Sequence, residues 1–170
     1  MKVLVTAASK HGSTAEIARE VAAILGKEGV EVTETAPEGV QSVEDYDAVV
    51  LGSAVYAGHW MKPATELVER LGPALATRSV WLFSSGPIGD PPKPEEDPVD
   101  AAEMIESTRA RDHRVFAGRL TKKRLSFGEK AIVLALRAPE GDFRDWDEIR
   151  AWAAAIAKEI AAQESRRGER

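Results

Sequence analysis

Short β-branched runs and stretches of 3.6-residue apolar periodicity take turns along this chain, and that alternation restricts its fold more than any single motif. Val3-Leu4-Val5 is continuous rather than alternating, as in a strand covered on both faces. From Ser13 the period changes, and Ile17, Val21, Ile24 and Leu25 fall on one face of a helix. Ser13 and Glu16 have the spacing of a capping box, which starts that helix, and Gly26 and Gly29 end it. Val30–Thr33 reads as a second strand nearer a sheet edge, and Ala48–Gly52 as a central strand. A helix from about Pro63 carries Leu67, Val68 and Leu71 inward and stops at Gly72-Pro73, before a strand at Ser79–Phe83.

Residues 86–98 hold five prolines and two glycines and read as a loop. Asp97-Pro98 then has the look of an N-cap and first-turn proline, opening a helix to about Arg109. Val115–Ala117 is a fifth strand. Asp145 and Glu148 form another capping-box pair, with Trp146, Ile149, Ala153, Ile156 and Ile160 as the stripe of a last helix. Residues 164–170 read as a charged, frayed tail, so the folded unit is expected over 1–163. Five strand–helix alternations with no repeat predict one α/β domain, a parallel sheet layered between helices.

Composition narrows the chemistry. The chain of 170 residues has no cysteine, which removes disulfides, thiolate nucleophiles and cysteine-held metals, so redox chemistry needs a borrowed cofactor. A net charge of −5 argues against nucleic acid as a partner. The N-terminus turns polar at Ser9-Lys10-His11, too soon for a signal core, and no apolar run reaches the roughly 18 residues of a membrane span; a cytoplasmic location is expected.

In doubly wound sheets, ligands bind beyond the carboxyl ends of the strands. Ser9-Lys10-His11-Gly12-Ser13-Thr14 runs into a helix N-terminus, where free N–H groups and the helix dipole favour an anion. A helix cap in a polar turn is the plainer reading. The loop lacks the G-x-G-x-x-G of dinucleotide folds and the Gly-Lys-Ser/Thr of P-loops. After the central strand, Tyr56 and Trp60 flank Gly58, an arrangement that holds a planar ring or seals the sheet end against the next helix. His11, His59 and Asp90 match no metal-ligand spacing, and no Ser-His-Asp grouping is supported. His59 suits proton donation near neutral pH, or is an exposed loop histidine.

These segments carry a resemblance. Thr6–Thr14 resembles the phosphate loop of flavodoxins, hydroxyl-rich with a central glycine. Val50–Trp60 is similar to the branch of the flavodoxin-domain family that includes menaquinone-dependent protoporphyrinogen IX dehydrogenase, and Phe116–Leu120 and Asp145-Trp146 extend the similarity. The resemblance implies a flavodoxin-like three-layer sandwich with a five-stranded parallel sheet in the order 2-1-3-4-5. It implies an FMN-dependent oxidoreductase, with protoporphyrinogen oxidation in heme biosynthesis and a quinone acceptor; the alternatives are an electron carrier with a redox protein partner and a binding module without FMN. The phosphate is then expected on Ser9, His11, Gly12, Ser13 and Thr14. The ring is expected among Ser53, Ala54, Tyr56, Gly58, Trp60, Ser84, Ser85, Gly86 and Gly89, with His59 as the catalytic candidate at its edge. No aromatic residue stands between Phe83 and Phe116, so one flavin face is expected to be open to a substrate.

An insert over 119–141 precedes the last helix. Residues 119–138 contain six basic side chains (Arg119, Lys122, Lys123, Arg124, Lys130, Arg137) and one acidic, Glu129, a local +5 that leaves −10 for the rest. Leu125, Phe127, Ile132, Val133, Leu134 and Leu136 lie among them. The simplest expectation is a helix packed on the sheet with a basic collar. The competing one is peripheral contact with an anionic membrane at the inner face of the cell membrane.

Overall fold

A computed structural model describes residues 1–169. The alternation unfolds as β1 (Lys2–Ala8), α1 (Ser13–Lys27), β2 (Glu31–Glu34), β3 (Ala48–Tyr56), β4 (His59–Trp60) and α2 (Lys62–Leu75). Then come β5 (Ser79–Ser85), α3 (Ala101–Thr108), β6 (Asp112–Phe116), β7 (Arg119–Leu120), α4 (Phe127–Ala135), β8 (Gly141–Asp142) and α5 (Trp146–Gly168). The main sheet runs β2-β1-β3-β5-β6, each neighbouring pair parallel. Counted along its parallel strands this is the expected 2-1-3-4-5 order. The chain reverses direction across the sheet between β1 and β3, which puts a crevice beyond their carboxyl ends.

The side chains of β1 explain why its run is continuous. Val3 and Val5 enter a core with Ile17, Val21 and Leu25 of α1 and Ile149, Trp152 and Ile156 of α5. Leu4 points the other way, among Leu67, Val68 and Leu75 of α2 and Met104 of α3. Neither face meets water, so no polar residue is needed at alternate positions. Phe83, Phe116 and Trp152 meet as a three-ring cluster with centroids 5.4–6.0 Å apart and tilted or edge-on contacts, the geometry that ring quadrupoles favour.

Several boundaries depart from expectation. α2 continues through Gly72-Pro73, because a proline in the last turn removes only one internal bond and Ala76 N still reaches Gly72 O at 2.9 Å. α3 starts at Ala101, not at Asp97-Pro98; Val99 N is drawn to Gly58 O at 2.8 Å, and Pro98 closes a turn instead. α5 runs on to Gly168 where a frayed tail was expected, and Arg167 anchors its end on Asp47 at 2.7 Å. Residue 170 of that expected tail lies outside the described residues. β3 extends to Tyr56 and folds back as a hairpin with β4, which shortens the expected loop to Ala57-Gly58. Among the described residues, no helix is long and apolar enough to cross a membrane.

Two corrections concern the insert and α1. α4 is not packed on the sheet: all of its side chains are at least partly exposed, and Phe127 is 91% exposed. The Ser13–Glu16 capping box does not form. Glu16 reaches sideways to two arginines, while the box that does form is Ser126–Glu129 at the start of α4. At α5, Asp145 accepts from Glu148 N at 3.0 Å.

Candidate functional site

The crevice beyond β1, β3 and β5 is a cleft with three walls. The β1–α1 loop gives Ser9, His11, Ser13 and Thr14; the ends of β3 and β5 give Ala54, Val55, Tyr56, Ser85 and Gly86, with Ile88 just beyond. The third wall is the insert, from Gly118 and Arg119 through Thr121, Arg124 and Leu125.

The first wall is shaped by Gly12. It caps α1 at φ +88°, a left-handed conformation that disfavours any side chain, and its N–H is taken by Ser9 Oγ at 3.1 Å. Glu16 N bonds back to Gly12 O at 3.0 Å, but no described side chain caps α1. The N–H groups of its first turn are therefore left for water or a ligand. Ser13 Oγ is buried without a hydrogen-bond partner among the described residues, and so is Arg119 Nη2 across the cleft. Buried donors left unpaired are costly, and both belong to residues of the cleft lining, where an anion would pair with them.

Arg119 is held by charge. Its Nη1 donates to Glu16 Oε2 at 3.1 Å, and Arg144 Nη1 donates to the same oxygen at 2.6 Å. Arg144, whose side chain is 3% exposed, also forks onto Asp142 and stacks on Trp146 with 4.6 Å between guanidinium and ring centroid. The Arg144 hydrogen bond, with Arg119 adding to it, holds the Glu16 carboxyl below the usual carboxylate range. Arg144 holds Asp142 down in the same way.

Further out, Glu129 of α4 reaches the β1–α1 loop. Its carboxylate takes hydrogen bonds from Lys10 Nζ, from Ser126 N at 2.8 Å and from His11 Nε2 at 3.2 Å. The Lys10 bond first, then the Ser126 N–H and His11, lower its pKa from an ordinary 4.5 to about 2. Arg124 Nη1 donates to His11 O at 3.0 Å.

The floor is closed by backbone. Gly118 N bonds Pro87 O at 2.7 Å, and a Cβ on Gly118 would stand 3.2 Å from Gly86 O, so a side chain there would push the two loops apart. Tyr56 is the aromatic side chain that lines the cleft; the Lys10 ammonium sits 5.9 Å from its ring centroid. Burial, and Glu129 nearby, push its phenol pKa up.

Other expected site residues spend their polar atoms inside the protein. Trp60 is 5% exposed and donates its indole N–H to Ser84 Oγ at 2.8 Å; Ser84 in turn bonds His113 Nε2 at 2.8 Å. Burial lowers the His113 pKa, which keeps that ring neutral and able to accept. Ser53 Oγ accepts from Met61 N at 2.9 Å and donates to Ala54 O at 2.8 Å. Gly58 makes the hairpin turn at φ +81°. His59 is exposed and pairs through Nδ1 with Asp100 Oδ1 at 3.1 Å. Gly89 lines a different hollow, between the proline-rich loop and Leu136–Pro139.

Sequence reasoning did not place Arg119, Thr121, Arg124 or Leu125 in the cleft. The available signal was position: Arg119 follows the fifth strand at the carboxyl edge, where switch-point ligands sit.

The chain is a doubly wound α/β domain with an uncapped helix N-terminus and one aromatic wall at its switch point. The flavodoxin domain model matches residues 4–147, and the chain belongs to that family. Among solved structures it is similar to a flavodoxin from the domain Archaea, at 16% identity and a TM-score of 0.63 over 95% of this chain and 99% of that one. It is also similar to the Streptococcus pneumonia TIGR4 flavodoxin, at 19% identity and a TM-score of 0.61 over 96% of this chain and 99% of that one. Rubredoxin oxygen:oxidoreductase from the anaerobe Desulfovibrio gigas matches at 16% identity and a TM-score of 0.65, over 95% of this chain but 36% of the larger one. No curated protein sequence matches.

Proposed function

We propose that this chain binds FMN and acts as an FMN-dependent oxidoreductase. The observation that carries the reading is the unpaired Ser13 Oγ in a cleft that starts at the bare N-terminus of α1 and ends at Tyr56. A phosphate at one end and a planar ring at the other match that polarity. Bound FMN supplies one- or two-electron transfer, which a chain without cysteine lacks. Ser9, Gly12, Ser13 and Thr14 would hold the phosphate, and Ala54, Tyr56, Ser85 and Gly86 the ring. Purification should yield a yellow protein with flavin absorbance; a colourless protein that takes up no added FMN rejects the reading.

The resemblance of Val50–Trp60 supports a finer proposal, oxidation of protoporphyrinogen IX with a quinone as acceptor. Tyr56 supplies the aromatic wall of the cleft, and a ring resting on it would keep its other face for a substrate. His59, with Asp100 on one imidazole nitrogen, is the proposed proton donor at the hairpin edge. An anaerobic assay with protoporphyrinogen and menaquinone should give turnover. Absence of turnover, with ready reduction by a flavoprotein reductase, would make the chain an electron carrier, a role favoured by the −10 charge outside residues 119–138.

We also propose a cytoplasmic protein that touches an anionic membrane through 119–138. Phe127, Ile132, Leu134 and Leu136 are exposed, and Lys122, Lys123, Lys130 and Arg137 lie among them in sequence, a mix of apolar and cationic side chains that suits such a surface.

A further inference from the structure

We infer that Arg119, held in place by Glu16 and Arg144, is the arginine of the phosphate site, and that a phosphomonoester bound there ties the insert to the start of α1. The inference rests on the FMN reading above and adds to it a charged ligand that comes from outside the β1–α1 loop. Arg119 is the first residue of β7, and the chain reaches it only after all five parallel strands are complete.

A guanidinium offers five donors in a planar fork that suits phosphate oxygens. In Arg119 the Nη1 side of the fork is spent on Glu16, at 3.1 and 3.4 Å to its two oxygens. Nη2 has no hydrogen-bond partner among the described residues, and Arg119 is part of the cleft lining. A fork half-tied to an internal carboxylate and half-free is aimed, because the tied half fixes the plane of the free half. Glu16 is itself fixed by Arg144, which also donates to Ser13 O at 3.2 Å, so one side chain sets both Arg119 and the backbone of the other orphan donor. This arrangement explains why Glu16 forgoes the capping box its spacing invites. Capping its own helix would release Arg119 and cover N–H groups that the ligand needs.

Arg124 is a poorer candidate, since it is exposed and its Nη1 is committed to His11 O at 3.0 Å. Lys10 and His11 are occupied by Glu129. Ser13 Oγ and Arg119 Nη2 are the buried side-chain donors of the lining residues left without a partner among the described residues, one on α1 and one on the insert. A dianion between them would bridge two elements far apart in sequence.

The experiment compares FMN with riboflavin, which lacks only the phosphate. Binding to the full-length apoprotein is followed by quenching of flavin fluorescence for wild type, Arg119→Met, Arg119→Lys and Arg144→Met. Circular dichroism checks that each variant is folded. Arg119→Met should weaken FMN about 10- to 100-fold, the range for a lost charged hydrogen bond, with riboflavin unchanged. Arg119→Lys, which keeps the charge and loses the fork, should fall between. Arg144→Met should lose FMN affinity in the same selective way. Inorganic phosphate should slow proteolysis within 119–141 in wild type and not in Arg119→Met. Equal FMN affinity in wild type and Arg119→Met, or equal loss of FMN and riboflavin, would overturn the inference. If wild type binds neither flavin, the FMN reading falls by itself. The phosphate site is then judged by the proteolysis arm, where protection that ignores Arg119 rejects it.

Discussion

The base and the tip of the insert follow opposite rules. At the base, β7 and β8 pair through Arg119 with Asp142 and Leu120 with Gly141, and the chain Asp142–Arg144–Glu16–Arg119 runs beneath them. Arg144 is almost fully removed from water there, and three partners share its charge. At the tip, α4 and the Leu136 that follows it carry four large exposed apolar side chains, and Glu129 reaches back to the body. The base is ordered by groups that are costly to leave unpaired. The tip is ordered by one carboxylate and a capping box. The two ends show that a segment with one composition can be part of the fold at one place and a presented surface a few residues on.

Breaking the base should have the largest effect. Arg144→Met leaves Asp142 and Glu16 without their main partner, and stability measured by urea denaturation should fall by about 3 kcal/mol. An unchanged midpoint would mean that the network contributes little to holding the insert. In the β3–β4 hairpin, Trp60→Phe removes the indole N–H that bonds Ser84 and trades a buried bicyclic ring for a smaller one. The cost should be about 2 kcal/mol, the lost bond plus the space left behind, with Ser84 still paired to His113.

The tip should respond locally. Glu129→Ala removes the capping box and frees Lys10 and His11, so limited proteolysis should cut within 119–141 about fivefold faster while the global midpoint moves little. The same contact has a pH signature. A carboxylate with a lowered folded pKa contributes stability that is fully present above its unfolded value. Protection of the insert should therefore persist down to about pH 4.5 and fade toward pH 2. Protection that is constant through that window would show that Glu129 does not hold the tip. The smallest effect on stability belongs to Phe127→Ser with Leu134→Ser, within about 0.5 kcal/mol because both side chains are exposed. Those two changes should abolish co-sedimentation with anionic vesicles. Sedimentation that survives them, or that is insensitive to salt, retires the membrane proposal.

Much of the scaffold was legible because it depends on periodicity. Val3-Leu4-Val5, Ala48–Gly52 and Ser79–Phe83 are buried on both faces, and no other placement suits such runs. The β1–α1 loop was legible as the lead-in to an uncapped helix N-terminus for a similarly local reason: a glycine and hydroxyls run straight into a helix. The second loop was only half legible. Tyr56 does line the cleft, whereas Trp60 faces inward to Ser84, and the choice depends on a partner 24 residues away. The Ser13–Glu16 pair shows the same limit. Its spacing suits a capping box, but the carboxylate meets arginines 103 and 128 residues further on, and two charge-assisted bonds outweigh one bond to a backbone N–H.

The sequence by itself determined the alternation, the parallel sheet, the place of the crevice and, through the missing cysteines, that any redox chemistry needs a borrowed group. The alternation follows from residues within one helical turn or one strand of each other, where period and burial are enough. Tertiary structure alone decided which donors remain free at that crevice. Hydrogen-bond valence is a matter of who stands within about 3 Å, and the chain brings Arg119, Glu16 and Arg144 to that range only after the sheet has closed between them.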